Sequence, residues 1–331
     1  MQTTKEQPQP GNLRIYESIQ DELLEVKALL ASTSHSNDPD IQKVISYTVE
    51  GVGKMLRPAI AILASKFHPL TDLSKVVSMA TAVELLHLAS LVHDDTVDQS
   101  ETRRGRITVS DRWGKDVALL VGDYLFATSA TVMCETENIK AMHIFSQTIK
   151  EVSHGELSEN LSAYDWHQTR EQYFDRIYHK TASLFATAAE GGALVSEAPN
   201  RTVDSLRTYG MNLGLAFQIV DDILDFEGDE KVIGKPIGND LAQGVLTLPS
   251  ILLIEQSPSN NPVFEIFDGN NNQENIQHAI QMIQSSSIIS DCYEIAKQFS
   301  QKAHEALEKL EDNVYRRSLS SLASYVLQRD S

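Results

Sequence analysis

Residues 73–98 read LSKVVSMATAVELLHLASLVHDDTVD, an apolar stretch that ends in a run of aspartates. Its apolar residues recur at the three- and four-residue spacings of an α-helix. The same spacing continues on both sides of the stretch, and strand-type alternation is nearly absent from the chain. The sequence therefore predicts an all-α fold.

Short segments rich in Gly, Asn, Asp, Pro and Ser separate the predicted helices. Asp38 and Pro39 form a start signal, in which a capping side chain precedes a ring that the first helical position tolerates. The polar stretch Gln256–Asn275 is interpreted as a surface loop. The predicted helices are 13–30, 39–50, Pro58–Phe67, Leu73–Asp98, Asp116–Cys134, Ile139–Tyr164, Thr169–Glu190, Val203–Phe226, Leu246–Gln256, Ile276–Ile283, Ile289–Leu310 and Val314–Leu327.

Length and composition are those of a globular protein. The chain has 331 residues, of which 41% are hydrophobic and 22% charged. Residues 1–10 are polar and rich in Pro and Gln, so we expect a flexible tail there and one all-helical domain over 11–331. No run approaches the ~18 consecutive apolar residues of a transmembrane helix, so we expect no transmembrane helix.

Charge and cysteine content exclude several classes of protein. The formal charge is −18, which argues against nucleic-acid binding or a basic membrane-surface role. Cys134 and Cys292 are far apart and form no C-x-x-C pair, so we expect neither disulfides nor a thiolate metal site. A reducing cytoplasm is the expected location.

The same acidic pattern, D-D-x-x-D, occurs twice near predicted helix ends, at 94–98 and 221–225. Residues four apart share a helix face, so the first and last aspartates of each pattern lie about 5–6 Å apart at their Cβ atoms. At that distance two charges repel by about 3 kcal/mol at an effective dielectric of about 20. A Mg²⁺ ion bound together with substrate phosphates would offset this repulsion. The alternative interpretation is an acidic helix end in solvent.

Basic residues flank both aspartate clusters in this otherwise acidic chain. Arg103 and Arg104 follow the first cluster, Lys54 and Arg57 precede a helix, and Lys235 follows the second cluster on a Gly-rich segment. Guanidinium groups and free helix N–H groups bind phosphate oxygens. Taken singly, each of these basic residues would be interpreted as an ordinary surface charge. Together they indicate diphosphate chemistry.

These motifs closely resemble those of the trans-polyprenyl diphosphate synthase family, from about Gly51 to Pro249. They occur in the family's order and spacing: Gly53-Lys54-x-x-Arg57-Pro58, Leu91-Val92-His93-Asp94-Asp95-x-x-Asp98, Arg103-Arg104-Gly105, Gly122-Asp123-Tyr124-Leu125, Lys180-Thr181-Ala182-Ser183-Leu184, Phe217-Gln218-Ile219-Val220-Asp221-Asp222-x-x-Asp225 and Gly234-Lys235-Pro236. The resemblance implies a single helical bundle of the isoprenoid synthase type around a central cavity, and a homodimer.

The resemblance also implies roles for individual residues. Mg²⁺ would be held by Asp94, Asp95, Asp98, Asp221 and Asp225. The allylic diphosphate would be bound by Arg103, Lys180, Thr181, Gln218 and Lys235. Isopentenyl diphosphate would be bound by Lys54, Arg57, His87 and Arg104. The side chains expected to act in catalysis are Asp94, Asp98, Arg103, Lys180, Asp221 and Lys235.

The reaction implied is the head-to-tail addition of isopentenyl diphosphate to an allylic diphosphate such as farnesyl diphosphate. Charge developing on the departing diphosphate is stabilised electrostatically, and the carbocation must be kept from water, which gives 228–239 a role as a lid. The family often has two adjacent glycines where this chain has Gly51-Val52-Gly53. Met55 and Val245 also stand where basic residues are common in the family.

Small residues before the first cluster bear on product length. Ala89 and Ser90 lie one turn before Asp94, where short-chain members of the family place aromatic residues. Together with the small residues of 127–130, they predict an open tunnel and an all-trans product of geranylgeranyl length or longer. We interpret the product as an octa- to decaprenyl precursor of a quinone side chain. The alternative to a tunnel is that these small residues serve close packing between helices.

The sequence is also compatible with four other functions. They are geranylgeranyl diphosphate synthesis, a terpene cyclase of the same fold, a non-catalytic subunit of a heteromeric synthase, and an HD-type metal phosphohydrolase. The second D-D-x-x-D with Lys54 and Arg57 argues against a cyclase, and two intact clusters argue against a regulatory subunit. His87 and His93 are six apart and do not share a helix face, which argues against the phosphohydrolase.

Overall fold

The computed structural model describes residues 15–69, 72–227, 237–259, 261–270 and 272–329. Nearly all regular structure in these residues is helical, which confirms the predicted all-α fold. Buried apolar side chains between Ile15 and Val326 form one contiguous core. The predicted tail 1–10 lies outside the described residues, and the domain boundaries stay a prediction.

The helices in chain order are α1 (Gln20–Ser32), α2 (Pro39–Val49), α3 (Leu56–Ser65), α4 (Leu73–Val97), α5 (Val109–Trp113), α6 (Lys115–Cys134), α7 (Ile139–Leu161), α8 (Arg170–Ile177), α9 (Ser183–Val195), α10 (Asn200–Glu227), α11 (Asn239–Ala242), α12 (Leu248–Gln256), α13 (Pro262–Phe267), α14 (Gln273–Gln284), α15 (Ile288–Glu308) and α16 (Val314–Val326). A 3₁₀ turn, Glu17–Ile19, precedes α1. Two short strands, β1 (Thr102–Arg103) and β2 (Arg106–Ile107), form an antiparallel hairpin. A π-helical turn, Tyr178–Ala182, joins α8 to α9.

Helix starts follow the capping chemistry in the sequence. The Asp38 side chain accepts hydrogen bonds from the backbone N–H groups of Asp40 and Ile41, and Pro39 opens α2 as predicted. Asp72 caps α4 in the same way through the N–H of Ser74. These caps set where the core helices begin.

Helix α4 is the central element of the core. Most of its side chains are buried, as expected for a helix that is apolar on all sides. Fully buried residues such as Leu85 and Leu86 each contribute about 1.5–3 kcal/mol through removal of apolar surface from water. Helices α3, α6 and α9 pack around α4. Its aspartate cluster lies at its C-terminal end.

Helix α6 is apolar on a face that the described residues leave largely exposed. Two described helices are long and apolar enough to cross a membrane by length and composition, Leu73–Val97 and Lys115–Cys134. The apolar window of α4 is 78% buried, as in a core helix, whereas that of α6 is 39% buried. Leu119, Leu120 and Tyr124 are among the exposed side chains of α6.

Two expectations about secondary structure are corrected. The stretch Gln256–Asn275 contains helix α13, whose Val263 and Ile266 are fully buried, so it is not simply a surface loop. Asn261 caps this helix and Pro262 opens it. The single helix predicted over Thr169–Glu190 is interrupted by the π turn, which the apolar spacing does not reveal.

Candidate active site

The first aspartate cluster lies at the C-terminal end of α4. Burial raises the pKa of Asp94 to about 8; Glu156 adds to this rise, whereas Lys180 opposes it. Asp98 is the C-cap residue, and its N–H donates to the carbonyl of Asp94 over 2.8 Å. The negative charges on neighbouring carboxylates make a cation favourable here.

Asp95 pairs with one of the predicted arginines. Asp95 is only 6% exposed, and its Oδ1 accepts a hydrogen bond from Arg103 Nε at 2.7 Å. Arg103 lies on strand β1 of the hairpin that follows α4. The structure thus brings these two predicted site residues together. Metal binding by Asp95 stays a prediction.

Within the second cluster, Asp222 is the most enclosed residue. Its carboxyl group accepts hydrogen bonds from the Tyr173 hydroxyl at 2.6 Å and from Gln218 Nε2 at 2.8 Å. Burial raises the pKa of Asp222 to about 8, and the charge of Asp240 adds to the rise. The interactions hold this side chain in place at the centre of the cluster.

The other two aspartates of the cluster have different partners. Asp225 accepts hydrogen bonds from the backbone N–H groups of Asn239 and Asp240, both over 3.2 Å. Burial, with the charge of Asp240, raises the pKa of Asp225 well above its ordinary value. Asp221 has a half-exposed side chain and accepts a hydrogen bond from Arg329 at 2.8 Å. Asp225 therefore fixes the start of α11.

The π turn links the two aspartate clusters. Lys180 Nζ lies 3.2 Å from Glu156 Oε2, donates to Glu159, and interacts electrostatically with Asp94 of the first cluster. The next residue, Thr181, donates from Oγ1 to Gln218 Oε1 at 2.6 Å. Gln218 in turn bonds to Asp222 of the second cluster. Two adjacent residues thus contact the surroundings of both clusters.

Three of the four residues predicted to bind isopentenyl diphosphate, Arg57, His87 and Arg104, interact with one another. Burial lowers the pKa of Arg57 to about 10, and the same cause lowers the pKa of His87 well below its ordinary value. Arg104 lowers both pKa values further, whereas the buried Glu84 raises that of Arg57. Among the described residues, Arg57 Nε has no hydrogen-bond partner. This group is suited to an anion, with His87 uncharged.

Glycines of the segment before α3 make room for the arginines of the hairpin. A Cβ atom at Gly53 would lie 2.0 Å from Arg104 Nη1, and one at Gly51 would lie 2.7 Å from Arg106 Nη1. Arg106 also donates to the carbonyl of Tyr47. The two separated glycines, a departure from the family pattern, thus both receive a guanidinium group. This packing brings Arg104 beside the segment that carries Lys54 and Arg57.

The sequence also singles out Lys235, Val245 and Lys54. Lys235 and most of the predicted lid 228–239 lie outside the described residues. Val245 is half-buried, and its N–H donates to the carbonyl of Asp240 at 2.8 Å. As a valine, it supplies no positive charge at this position. Lys54 lies at the surface with its Nζ 3.4 Å from the hydroxyl of Tyr325. These roles remain predictions.

The alternative metal phosphohydrolase gains no support from His93. Its Nε2 lies 3.1 Å from the carbonyl oxygen of Leu119 and 3.6 Å from Asp123, and its ring packs on Phe126. Its surroundings are those of a histidine that packs one helix against another.

The proposed tunnel residues are divided between the interior and the surface. Ala89 is fully buried, and the Ser90 hydroxyl donates back to the carbonyl of His87. Ser129 is also fully buried, whereas Ala127 and Ala130 are exposed. Helical spacing places Ala127 and Ala130 on the outer face of α6 and Ser129 on its inner face, and a tunnel lined by 127–130 stays a prediction.

Carboxylate oxygens are the ligands that hard divalent cations prefer, so the donor set fits Mg²⁺. Across the residues that the structure describes, however, no three His, Cys, Asp or Glu side chains are already grouped as a metal site. An open arrangement agrees with an ion that is bound through one or two carboxylates and completed by substrate phosphates.

Sequence reasoning missed several residues around the site. Glu156 and Glu159 contact Lys180, Tyr173 contacts Asp222, and Arg329 contacts Asp221. Glu84 adds a buried carboxyl group to the arginine-rich side. The glutamates are ordinary polar residues of a predicted helix, and Arg329 is 108 positions from its partner, so no local pattern indicates these contacts.

Known proteins match this chain over nearly its whole length. A family model described as polyprenyl synthetase matches residues 38–291. Heptaprenyl diphosphate synthase component 2 of Bacillus subtilis (strain 168) is 33% identical over 314 residues, which are 95% of this chain and 90% of that protein.

Solved structures of polyprenyl synthases also match this chain in fold and in sequence. A polyprenyl synthase from Caulobacter crescentus CB15, complexed with calcium and isoprenyl diphosphate, matches with a TM-score of 0.92 and 30% identity over 98% of this chain and 100% of that chain. A decaprenyl diphosphate synthase from Rhodobacter capsulatus matches with a TM-score of 0.90 and 33% identity over 97% and 99%. The chain therefore belongs to the polyprenyl synthetase family of prenyl-transferring enzymes.

Proposed function

We propose that this protein is a Mg²⁺-dependent trans-prenyltransferase that adds isopentenyl diphosphate head-to-tail to an allylic diphosphate and releases a long-chain polyprenyl diphosphate. The observation that carries the proposal is the π turn, where Lys180 interacts with Asp94 and the adjacent Thr181 bonds to Gln218 beside Asp222. Basic and acidic groups from three helical segments meet there. This combination suits a metal–diphosphate complex.

The allylic diphosphate is assigned to the side of the two aspartate clusters. Asp94, Asp98, Asp221 and Asp225 would hold Mg²⁺ there, and the bound ion would stabilise negative charge on phosphate oxygens. Arg103, held by Asp95, and Lys180, held by the α7 glutamates, supply positive charge to the leaving diphosphate. Lys235 is assigned to the same diphosphate by family resemblance.

Isopentenyl diphosphate is assigned to the group of Lys54, Arg57, His87 and Arg104. This side relies on protein charges, and an uncharged His87 donates a hydrogen bond without adding charge. In the reaction the carbon–oxygen bond of the allylic diphosphate breaks and the double bond of isopentenyl diphosphate attacks the cation. Loss of a proton to the released diphosphate then restores an alkene. No protein nucleophile is required.

A product longer than geranylgeranyl diphosphate is favoured by Ala89. Its methyl side chain is small and fully buried one turn before Asp94, where short-chain members of the family place aromatic residues. The names of the heptaprenyl and decaprenyl relatives point the same way. Octa- to decaprenyl diphosphate is the proposed range, and geranylgeranyl diphosphate is the alternative.

The decisive assay incubates the purified protein with farnesyl diphosphate, labelled isopentenyl diphosphate and Mg²⁺, and separates the products by length. We expect extension by several units. A protein that ionises the allylic substrate without adding isopentenyl units would be a cyclase, and one that only releases phosphate would be a phosphohydrolase. Absence of all turnover would point to a non-catalytic subunit.

A homodimer is the proposed assembly. Leu119, Leu120 and Tyr124 present an apolar surface on α6 that a second copy would bury. The relative named as a component of heptaprenyl diphosphate synthase raises a heteromeric assembly as the alternative. Light scattering on the purified chain distinguishes a dimer from a monomer that awaits another subunit. We also propose a cytoplasmic location and no transmembrane segment, which cell fractionation tests.

A further inference from the structure

The π turn Tyr178–Ala182 is enclosed by two helices that approach its backbone closely. A Cβ atom at Gly155 of α7 would lie 2.4 Å from the backbone N and 2.7 Å from the Cα of Lys180. A Cβ atom at Gly214 of α10 would lie 2.6 Å from the Cα of Ala182. These are backbone atoms, so any side chain at either glycine would displace the turn. Single π turns within α-helices occur frequently at functional sites.

The residues that follow Gly155 hold the side chain of Lys180. Glu156 Oε2 lies 3.2 Å from Lys180 Nζ, and Glu159 Oε1 accepts a hydrogen bond from the same ammonium group. Because an ammonium group has three N–H donors, two contacts leave one donor for a phosphate oxygen. The lysine is thus fixed from α7.

Glu159 is itself held in place. Its Oε2 lies 3.7 Å from Arg176 Nε, and Arg176 is almost completely buried. Arg176 donates to Gln168 Oε1 and to the carbonyl of Leu246, both over 2.5 Å. These contacts connect Glu159 to two further segments of the chain. The carboxylate that contacts Lys180 is therefore part of a connected network of ion pairs and hydrogen bonds.

The arrangement has an electrostatic cost. Glu156 adds negative charge beside Asp94, and this charge opposes ionisation of the Asp94 carboxyl group by raising its pKa. The Lys180 ammonium offsets this charge because it interacts with Glu159, Glu156 and Asp94. A side chain surrounded in this way has a defined position before any substrate arrives.

We propose that Gly155, Glu156 and Glu159 of α7 are positioning residues that set Lys180 for the allylic diphosphate. The inference rests on the proposed function, which assigns Lys180 to that substrate. It predicts that α7 affects one substrate of the two, because the residues assigned to isopentenyl diphosphate lie on α3, the segment before it, α4 and the hairpin.

Glu159 provides the first test, with variants Glu159→Gln and Glu159→Ala. Loss of one charge-assisted contact to Lys180 should lower kcat/KM for farnesyl diphosphate about tenfold or more, chiefly through KM. Glu159→Gln keeps an acceptor oxygen and should retain part of the activity. KM for isopentenyl diphosphate should stay within about twofold of the wild type in both variants. Calorimetry with inorganic pyrophosphate and Mg²⁺ should show the same order of affinities.

Gly155→Ala tests the backbone contact, and Gly192→Ala is its matched control. A Cβ atom at Gly192 would lie 2.0 Å from the carbonyl oxygen of Ala61, another backbone contact between core helices. Both variants should lower the melting temperature. Only Gly155→Ala should raise KM for farnesyl diphosphate and weaken pyrophosphate binding.

The proposal is overturned if the Glu159 variants bind pyrophosphate as tightly as the wild type. It is also overturned if both KM values rise together, or if Gly155→Ala and Gly192→Ala differ in no property except stability. A wild-type protein that binds pyrophosphate without elongating any prenyl chain would reject the proposed function instead. The calorimetric comparison of variants would then still report on Lys180.

Discussion

Replacing Tyr173 by Phe removes one hydroxyl group from the interior and tests how the second aspartate cluster is held. The Tyr173 ring is fully buried, and its hydroxyl donates to Asp222 Oδ2 over 2.6 Å. Gln218 supplies another hydrogen bond to the same carboxyl group. Because the ring remains, the loss of stability should come from this hydrogen bond and not from packing.

The size of the effect should depend on pH. Burial raises the pKa of Asp222 to about 8, so the folded protein keeps a proton that the unfolded chain releases at lower pH. A raised carboxyl pKa contributes stability below the unfolded pKa, and this contribution is lost as pH rises towards the folded value. The Tyr173 hydrogen bond lowers the pKa of Asp222, so its removal extends this loss to higher pH.

Tyr173→Phe should therefore cost about 0.5–1.5 kcal/mol while Asp222 is protonated and about 1.5–3 kcal/mol once it is ionised. Urea unfolding with EDTA at about pH 6.5 and about pH 9.5 measures both values. Tyr209→Phe is the control, because the buried Tyr209 hydroxyl donates to the neutral carbonyl of Leu319 at 2.8 Å. A cost that is the same at both pH values, or one that follows pH equally in the control, would refute this account of Asp222.

Three further outcomes are expected. Ala89→Phe should shorten the product seen by chromatography and leave the first condensation nearly unchanged. It should also cost about 1–3 kcal/mol of stability, because the larger side chain overpacks a buried site. A product of unchanged length would place Ala89 outside the tunnel. EDTA should abolish activity and Mg²⁺ should restore it. The apparent affinity for Mg²⁺ should rise by up to about tenfold per pH unit towards about pH 8, because the ion displaces a proton from Asp94. An affinity that does not depend on pH would contradict this. If the protein is the proposed homodimer, Leu120→Glu should convert it into a monomer in light scattering, whereas an intact dimer would place the interface elsewhere.

The sequence predicts helices and the two clusters well because both depend on local patterns. Asp38 caps α2 as expected, and both aspartate clusters lie at the C-terminal ends of helices, with Asp98 as the C-cap of α4. The chemistry of the clusters is also local, since closely spaced carboxylates require positive charge. Family resemblance then assigns Arg57 and Arg104 to one group, and the structure places them together.

Partners from distant segments could not be predicted. Arg329 meets Asp221, and Tyr173 meets Asp222, only because the fold brings these segments together. The π turn inserts a residue into an otherwise regular helix without changing its composition. The sequence pattern does not predict helix α13, because this helix is short and lies within a polar stretch.

The turn between β1 and β2 places consecutive arginines in different surroundings. Arg103 bonds to Asp95, whereas Arg104, at a positive φ of 51°, lies against Gly53. One peptide unit thus separates the charges assigned to the two substrates. If these assignments hold, any insertion or deletion in this turn would disturb binding of the allylic diphosphate and of isopentenyl diphosphate together. The affinities for the two substrates could then not be tuned independently through this hairpin.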